Sequence, residues 1–267
     1  QSLEQTQTAV TYLRERGVDA INLDLLFGLP HQTEQSFRTT LNHVVVLNPD
    51  RLAIYGYAHV PWMSKRQVMI KSETLPDTRQ RFNLACVASQ VLQTAGFAAI
   101  GIDHFAKPSD SLFKAYKAVR LRRNFQGYTD DQCQTLIGLG ASAISRFNEG
   151  FAQNAVATSA YQDRILESGL ASHKGHEMTR NDALVSEMIE ALMCRFGFPI
   201  QELQRAFPDQ CDTINRFASN LIKLYPDVFM LEQTGLVMRP ETYPLVRIIA
   251  KEVDAYTTEK NVHAAAI

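Results

Sequence analysis

The four cysteines of this chain, Cys86, Cys133, Cys194 and Cys211, stand too far apart in sequence to form a C-x-x-C pair. That excludes a metal knuckle built from neighbouring thiols and leaves no disulfide framework to read from spacing. A reducing, cytoplasmic setting is the expectation. No apolar run reaches transmembrane length, and no signal peptide is read at the start. Net charge is scarce as well: −1 at pH 7 gives no bulk field to recruit nucleic acid or an acidic membrane. With 45% hydrophobic and 21% charged residues, the 267-residue chain has the composition of a globular protein with a sizeable core.

Alternating helices and short apolar segments come first. Residues 3–15 carry helical periodicity and stop at Gly17, a natural C-cap. A strand over 19–27 follows, and "GLP" breaks it. Thr33 caps a helix with Phe37, Leu41, Val44 and Val45 on one face. "RLAIYGYA" at 51–58 reads as a second strand. Asp77 and Gln80 open a helix with a capping box, and Gly96 closes it. "FAAIGI" at 97–102 is a third strand, ended by Asp103 and His104, and "TLIGLGASAI" at 135–144 is a candidate fourth. This alternation predicts a parallel sheet in which 18–27, 51–57 and 97–102 are neighbours, with helices on one outer face. So few strands make only part of a barrel, so the expectation is the later portion of a longer one.

Beyond about residue 170 the pattern changes to helices at 180–196, 199–206 and 210–224, a hairpin within "VFMLEQTGLVMRP", and a last helix over 240–256. The division expected is 1–170 for the barrel portion with its substrate-facing segment, and 171–267 for a helical, winged-helix-like domain. Acidic residues outnumber basic ones over 176–256, which disfavours DNA as its partner. The tail "TTEKNVHAAAI" shows no periodicity and is expected to fray.

Ligands of parallel barrels sit at the C-terminal ends of strands. Asp24 interrupts the apolar run "INLDLLFGLP", which reads as a buried strand, and a carboxylate in a core costs several kcal/mol unless a partner or ligand meets it. Tyr57, Ala58 and His59 follow the second strand; Asp103 and His104 follow the third. Any one of these is equally a hydrogen-bonded turn residue, but three strands delivering polar groups to one rim suggest a pocket. The G-x-G-x-x-A of "IGLGASAIS" either admits a ligand to the backbone or packs a strand end tightly. Six basic residues between 107 and 123 face one acid, Asp110, and run into "RRNFQGY" at 122–128. A solvated helix face is one reading; the other is a surface for a flat molecule bearing carboxylates.

"NLDLLFGLPHQT", "LNPDRLAIYGYAHVP", "GIDHFAKPSD", "RRNFQGYT" and "GLGASAIS", in this order and spacing, resemble the oxygen-independent coproporphyrinogen III oxidases, radical S-adenosylmethionine enzymes of haem biosynthesis. A sister branch of haem-chaperone-like proteins carries H-N-x-x-Y-W where this chain has "RRNFQGY". The resemblance implies a radical-SAM-type partial (β/α) barrel with a helical C-terminal domain. It also implies a [4Fe-4S] cluster, two S-adenosylmethionine molecules, coproporphyrinogen III as substrate and an unidentified electron donor. By resemblance Asp24 and Ala58 line one S-adenosylmethionine and Ile144 touches the other, around one cleft. Arg122, Arg123 and Tyr128 are the candidates for substrate carboxylates. No residue is assigned a catalytic or metal-ligating role, because the family's C-x-x-x-C-x-x-C motif is absent, so this chain alone is expected to be inactive. Two rivals stand beside this reading: a haem or tetrapyrrole carrier on the same fold, and a metal-dependent hydrolase using His59, Asp103 and His104.

Overall fold

Caps and breakers place the first elements where the sequence puts them. In the computed structural model, which describes residues 2–62, 64–254 and 256, helix α1 spans Leu3–Glu15 and strand β1 Asn22–Phe27. Helix α2 follows over Glu34–Val46, capped by the Thr33 side chain, then strand β2 over Arg51–Gly56. Helix α3, Thr78–Thr94, starts at the expected Asp77–Gln80 capping box. Short strands β3 (Ala98–Ile100) and β4 (His104–Ala106) and helix α4 (Ser111–Lys117) complete this run.

β1 and β2 pair in parallel, Asp24 opposite Ala53, as expected. The third expected neighbour is displaced. β4 lies between β2 and β3 and runs antiparallel to both, giving the order β1-β2-β4-β3. Gly101, at φ +60°, turns the chain back after β3, so His104 opens a strand instead of ending one. β3 still runs parallel to β2, but the two are not adjacent.

One helical layer covers this sheet on one face. Leu25 and Phe27 of β1 and Leu52 and Ile54 of β2 pack against Phe37 and Leu41 of α2 and Leu84 and Leu92 of α3. Each such side chain contributes about 1.5–3 kcal/mol when fully buried. Asp50 secures the entry to β2. It accepts from the Ile21 N–H at 2.9 Å and from Arg14 at 2.6 Å, with Lys107 at 3.7 Å. Partial burial raises the pKa of its carboxyl, but those donors outweigh burial and hold it below the ordinary aspartate value.

The remainder opens with a hairpin, β5 (Arg122–Asn124) and β6 (Gly127–Thr129). Strands β7 (Ile144–Phe147) and β8 (Gly150–Asn154), helix α5 (Thr158–Ser168) and strand β9 (Ser172–Glu177) follow, the strands forming an antiparallel sheet. The expected strand over 135–144 is therefore a loop for most of its length. Only Leu136, in a lone bridge to Arg146, and Ile144 at the start of β7 are strand-like.

Helices α6 (Arg180–Arg195), α7 (Ile200–Ala206) and α8 (Cys211–Leu224) fall within a residue of expectation. Strands β10 (Gly197–Phe198), β11 (Phe229–Glu232) and β12 (Gly235–Met238) form a sheet in the order β10-β12-β11, which makes this segment winged-helix-like. The last helix is shorter than expected. Pro240 and Pro244 hold Pro240–Leu245 as 3₁₀, and helix α9 covers only Val246–Lys251. The tail expected to fray, 257–267, lies outside the described residues.

Two compact units emerge, one holding the chain to Leu121 together with Met238–Lys251, the other Arg122–Val237. The division thus falls at 121/122, not near 170. Its physical reason is the β5–β6 hairpin, which docks on α6: Arg122 pairs with Glu190, and the Tyr128 hydroxyl donates to the Met193 carbonyl at 2.8 Å. In the first unit α9 returns to the sheet through Arg247, which reaches Asp103 at 3.2 Å.

Candidate functional site

Period-two alternation decides where Asp24 points. Ile21, Leu25 and Phe27 are buried toward the helices, with Leu23 partly so, while Asn22, Asp24 and Leu26 are exposed on the opposite face. The strand is thus buried on one face only, and Asp24, on the other, pays no burial penalty. Its Oδ1 accepts from the Asn22 amide at 2.7 Å, which leaves further acceptor positions open to a hydroxyl or an ammonium.

Ala58 is also exposed, just past the end of β2. Its carbonyl accepts from Gln67 Nε2 at 3.0 Å, and Gln67 Oε1 accepts from the Val60 N–H at 2.6 Å. One side-chain amide therefore shapes the loop after β2. Tyr57 donates its N–H to the Phe27 carbonyl at 2.7 Å, which keeps the ends of β1 and β2 together. Sequence reasoning did not single out Gln67, nor Arg81 of α3, which donates to the Tyr57 carbonyl at 2.8 Å. In sequence both read as ordinary polar residues of a surface segment.

Ile144 belongs to the second unit, half-buried at the start of β7. The glycine motif before it is a packing device at its first position. A Cβ on Gly138 would lie 2.7 Å from the Ile144 carbonyl oxygen and 2.9 Å from its nitrogen. Gly140 needs its φ of +101° and has open space around it. Asn154 Nδ2 donates to both the Gly138 and Gly140 carbonyls, and this loop precedes a strand, not a helix. No dinucleotide fingerprint is built here.

The three substrate candidates carry bonds of their own. Arg122 is ion-paired with Glu190, whose carboxyl burial pushes up while Arg122 pulls it back. Tyr128 is buried, with its hydroxyl on Met193. Arg123 stacks over the Tyr128 ring at 5.3 Å, and its buried Nε has no hydrogen-bond partner among the described residues.

The thiols do not gather. Cys86 and Cys133 are exposed, Cys211 is intermediate and Cys194 is buried in α6. Burial, with Glu190 nearby, pushes the Cys194 thiol up to about 12, and hydrogen bonding to Asp131 raises that of Cys133. Iron–sulfur clusters are held by thiolates, so both shifts run the wrong way. Among the described residues no three of His, Cys, Asp and Glu converge as a metal-ligand group. His59, Asp103 and His104 are no exception. Asp103 instead accepts from Arg247 and shares a 2.6 Å contact with His104 Nδ1. A [4Fe-4S] cluster does not fit the residues this chain supplies.

A mixed sheet covered by helices on one face, followed by a winged-helix-like segment, matches part of a solved radical S-adenosylmethionine enzyme. The structure superposes on coproporphyrinogen III oxidase from Escherichia coli, described as a radical SAM enzyme, with a TM-score of 0.89 and 32% identity over 96% of this chain and 60% of that one. In sequence it is 45% identical, over all 267 residues, to the oxygen-independent coproporphyrinogen III oxidase of Paracoccus denitrificans, and 34% identical to that of Salmonella typhimurium. No family model matches. The chain is thus homologous, along its whole length, to part of the oxygen-independent coproporphyrinogen III oxidases, and the resemblance carried by the motifs is borne out. It spans 59% of the length of the Paracoccus relative.

Proposed function

We propose that the protein carrying this chain performs the oxygen-independent oxidative decarboxylation of coproporphyrinogen III to protoporphyrinogen IX. Two propionate side chains would each lose a β-hydrogen atom to the S-adenosylmethionine-derived radical, one electron to an electron acceptor, and carbon dioxide, and become vinyl. The observation that carries this reading is the 45% identity extending over the entire chain, joined to the close structural match. S-adenosylmethionine, acting with a [4Fe-4S] cluster ligated elsewhere, supplies the hydrogen-abstracting chemistry. The part of this chain is to bind and orient. Asp24 and Ala58 hold one S-adenosylmethionine, Ile144 touches the other, and Arg122, Arg123 and Tyr128 shape the substrate side. An electron donor is required, and the cytoplasm is the proposed location; among the described residues no helix is long and apolar enough to cross a membrane.

Asp24 gives the direct test. In protein expressed from the complete reading frame, Asp24→Ala weakens S-adenosylmethionine binding about tenfold, the worth of one charge-assisted hydrogen bond. The fold stays intact, because the side chain is exposed. Calorimetric titration measures the affinity and a urea melt the stability. Unchanged affinity would remove Asp24 from the site, and a wild type with no affinity for S-adenosylmethionine would favour the tetrapyrrole-carrier reading.

A further inference from the structure

Three half-buried arginines of this chain meet a carboxylate. Arg14 has Asp50, Arg51 has Asp110 and Arg122 has Glu190. Arg81 does not. Among the described residues no carboxylate lies within ion-pair distance of it, and its one hydrogen bond runs to a neutral acceptor, the Tyr57 carbonyl. Burial without a compensating charge lowers its pKa below the ordinary arginine value.

Its position is informative. Tyr57 directly follows β2 and Gly28 directly follows β1, so Arg81 reaches from α3 to the C-terminal ends of the two parallel strands, next to Ala58. Ligands of parallel α/β barrels bind at this rim. Gly28 leaves the approach clear, since a Cβ there would stand 3.1 Å from Arg81 Nη1. Of the five guanidinium donors one is spent on Tyr57, and the planar fork suits a carboxylate.

We propose that Arg81 is a carboxylate-binding residue at the ends of β1 and β2. The assignment rests on the function proposed above and deepens it. Two molecules of that reaction bring carboxylates: the tetrapyrrole through its propionates and S-adenosylmethionine through its amino acid end. The chemistry is shared, and the experiment separates the sources.

Protein from the complete reading frame, as wild type, Arg81→Met and Arg81→Lys, is titrated with two pairs of ligands. One pair is S-adenosylmethionine and its decarboxylated form; the other is coproporphyrin III, a stable stand-in for the reduced substrate, and its tetramethyl ester. The expected result is that Arg81→Met weakens one carboxylate-bearing ligand about tenfold or more, leaves its carboxylate-free counterpart unaffected, and is partly rescued by Arg81→Lys. The pair that responds names the source. Equal loss for both members of each pair would show that Arg81 only braces the Tyr57 carbonyl, and would overturn the assignment, as would no loss at all. A wild type that binds neither S-adenosylmethionine nor porphyrin would overturn the functional reading itself, and the assignment with it.

Discussion

Anaerobic reconstitution of these 267 residues with iron, sulfide and reductant yields no stable [4Fe-4S] centre and no 5′-deoxyadenosine above a no-protein control. Cluster assembly needs three thiolates brought together at one site, and reductive cleavage of S-adenosylmethionine needs the cluster. Cys86 lies on α3 and Cys133 in a loop; Cys194 is sealed in α6, and Cys211 begins α8. No three of them converge among the described residues. The readouts are absorbance in the cluster band and chromatography of the nucleoside. Appearance of 5′-deoxyadenosine would mean that this chain ligates iron through groups the structure does not bring together.

Gly138→Ala lowers the stability of the second unit by about 1–3 kcal/mol, the usual cost of forcing an atom into a packed site. A side-chain neighbour could turn aside. The obstacle here is the Ile144 backbone, with three of its atoms within 2.9 Å of the new Cβ. Ile144 cannot shift freely, because it begins β7 opposite Gln153, and Ser145 accepts from the Gly138 N–H at 3.0 Å. Since Ile144 is also proposed to touch S-adenosylmethionine, the substitution disturbs binding along with stability. A urea titration monitored by circular dichroism reads the change. A midpoint matching the wild type would show that the loop accommodates the methyl group and that the tight approach has no structural weight.

The helices were legible because their ends are written in side chains. Thr33 and Asp77 cap as read, and 180–195, 200–206 and 211–224 follow their apolar spacing. β4 was not legible: three residues give no alternation to detect, and all three are buried. The run 135–144 misled because its apolar residues suit a strand, while the fold it adopts is dictated by backbone contacts between residues 138 and 144. At β1 the error was to read the whole strand as buried. A run counted as continuously apolar is an alternating strand, and Leu26 on the same side as Asp24 is itself 47% exposed. The motifs that carry the resemblance were legible, and the candidate site residues rest on that resemblance. Gln67 and Arg81 were not legible, since what marks them is a carbonyl reached across the fold.

The most direct measurement is product analysis. Protein expressed from the complete reading frame is incubated anaerobically with coproporphyrinogen III, S-adenosylmethionine and a low-potential reductant, and the tetrapyrroles are separated after oxidation. The account predicts protoporphyrin in place of coproporphyrin, with release of two molecules of carbon dioxide for each product and consumption of S-adenosylmethionine. Unchanged coproporphyrin, with haem retained on the protein and S-adenosylmethionine intact, would contradict it.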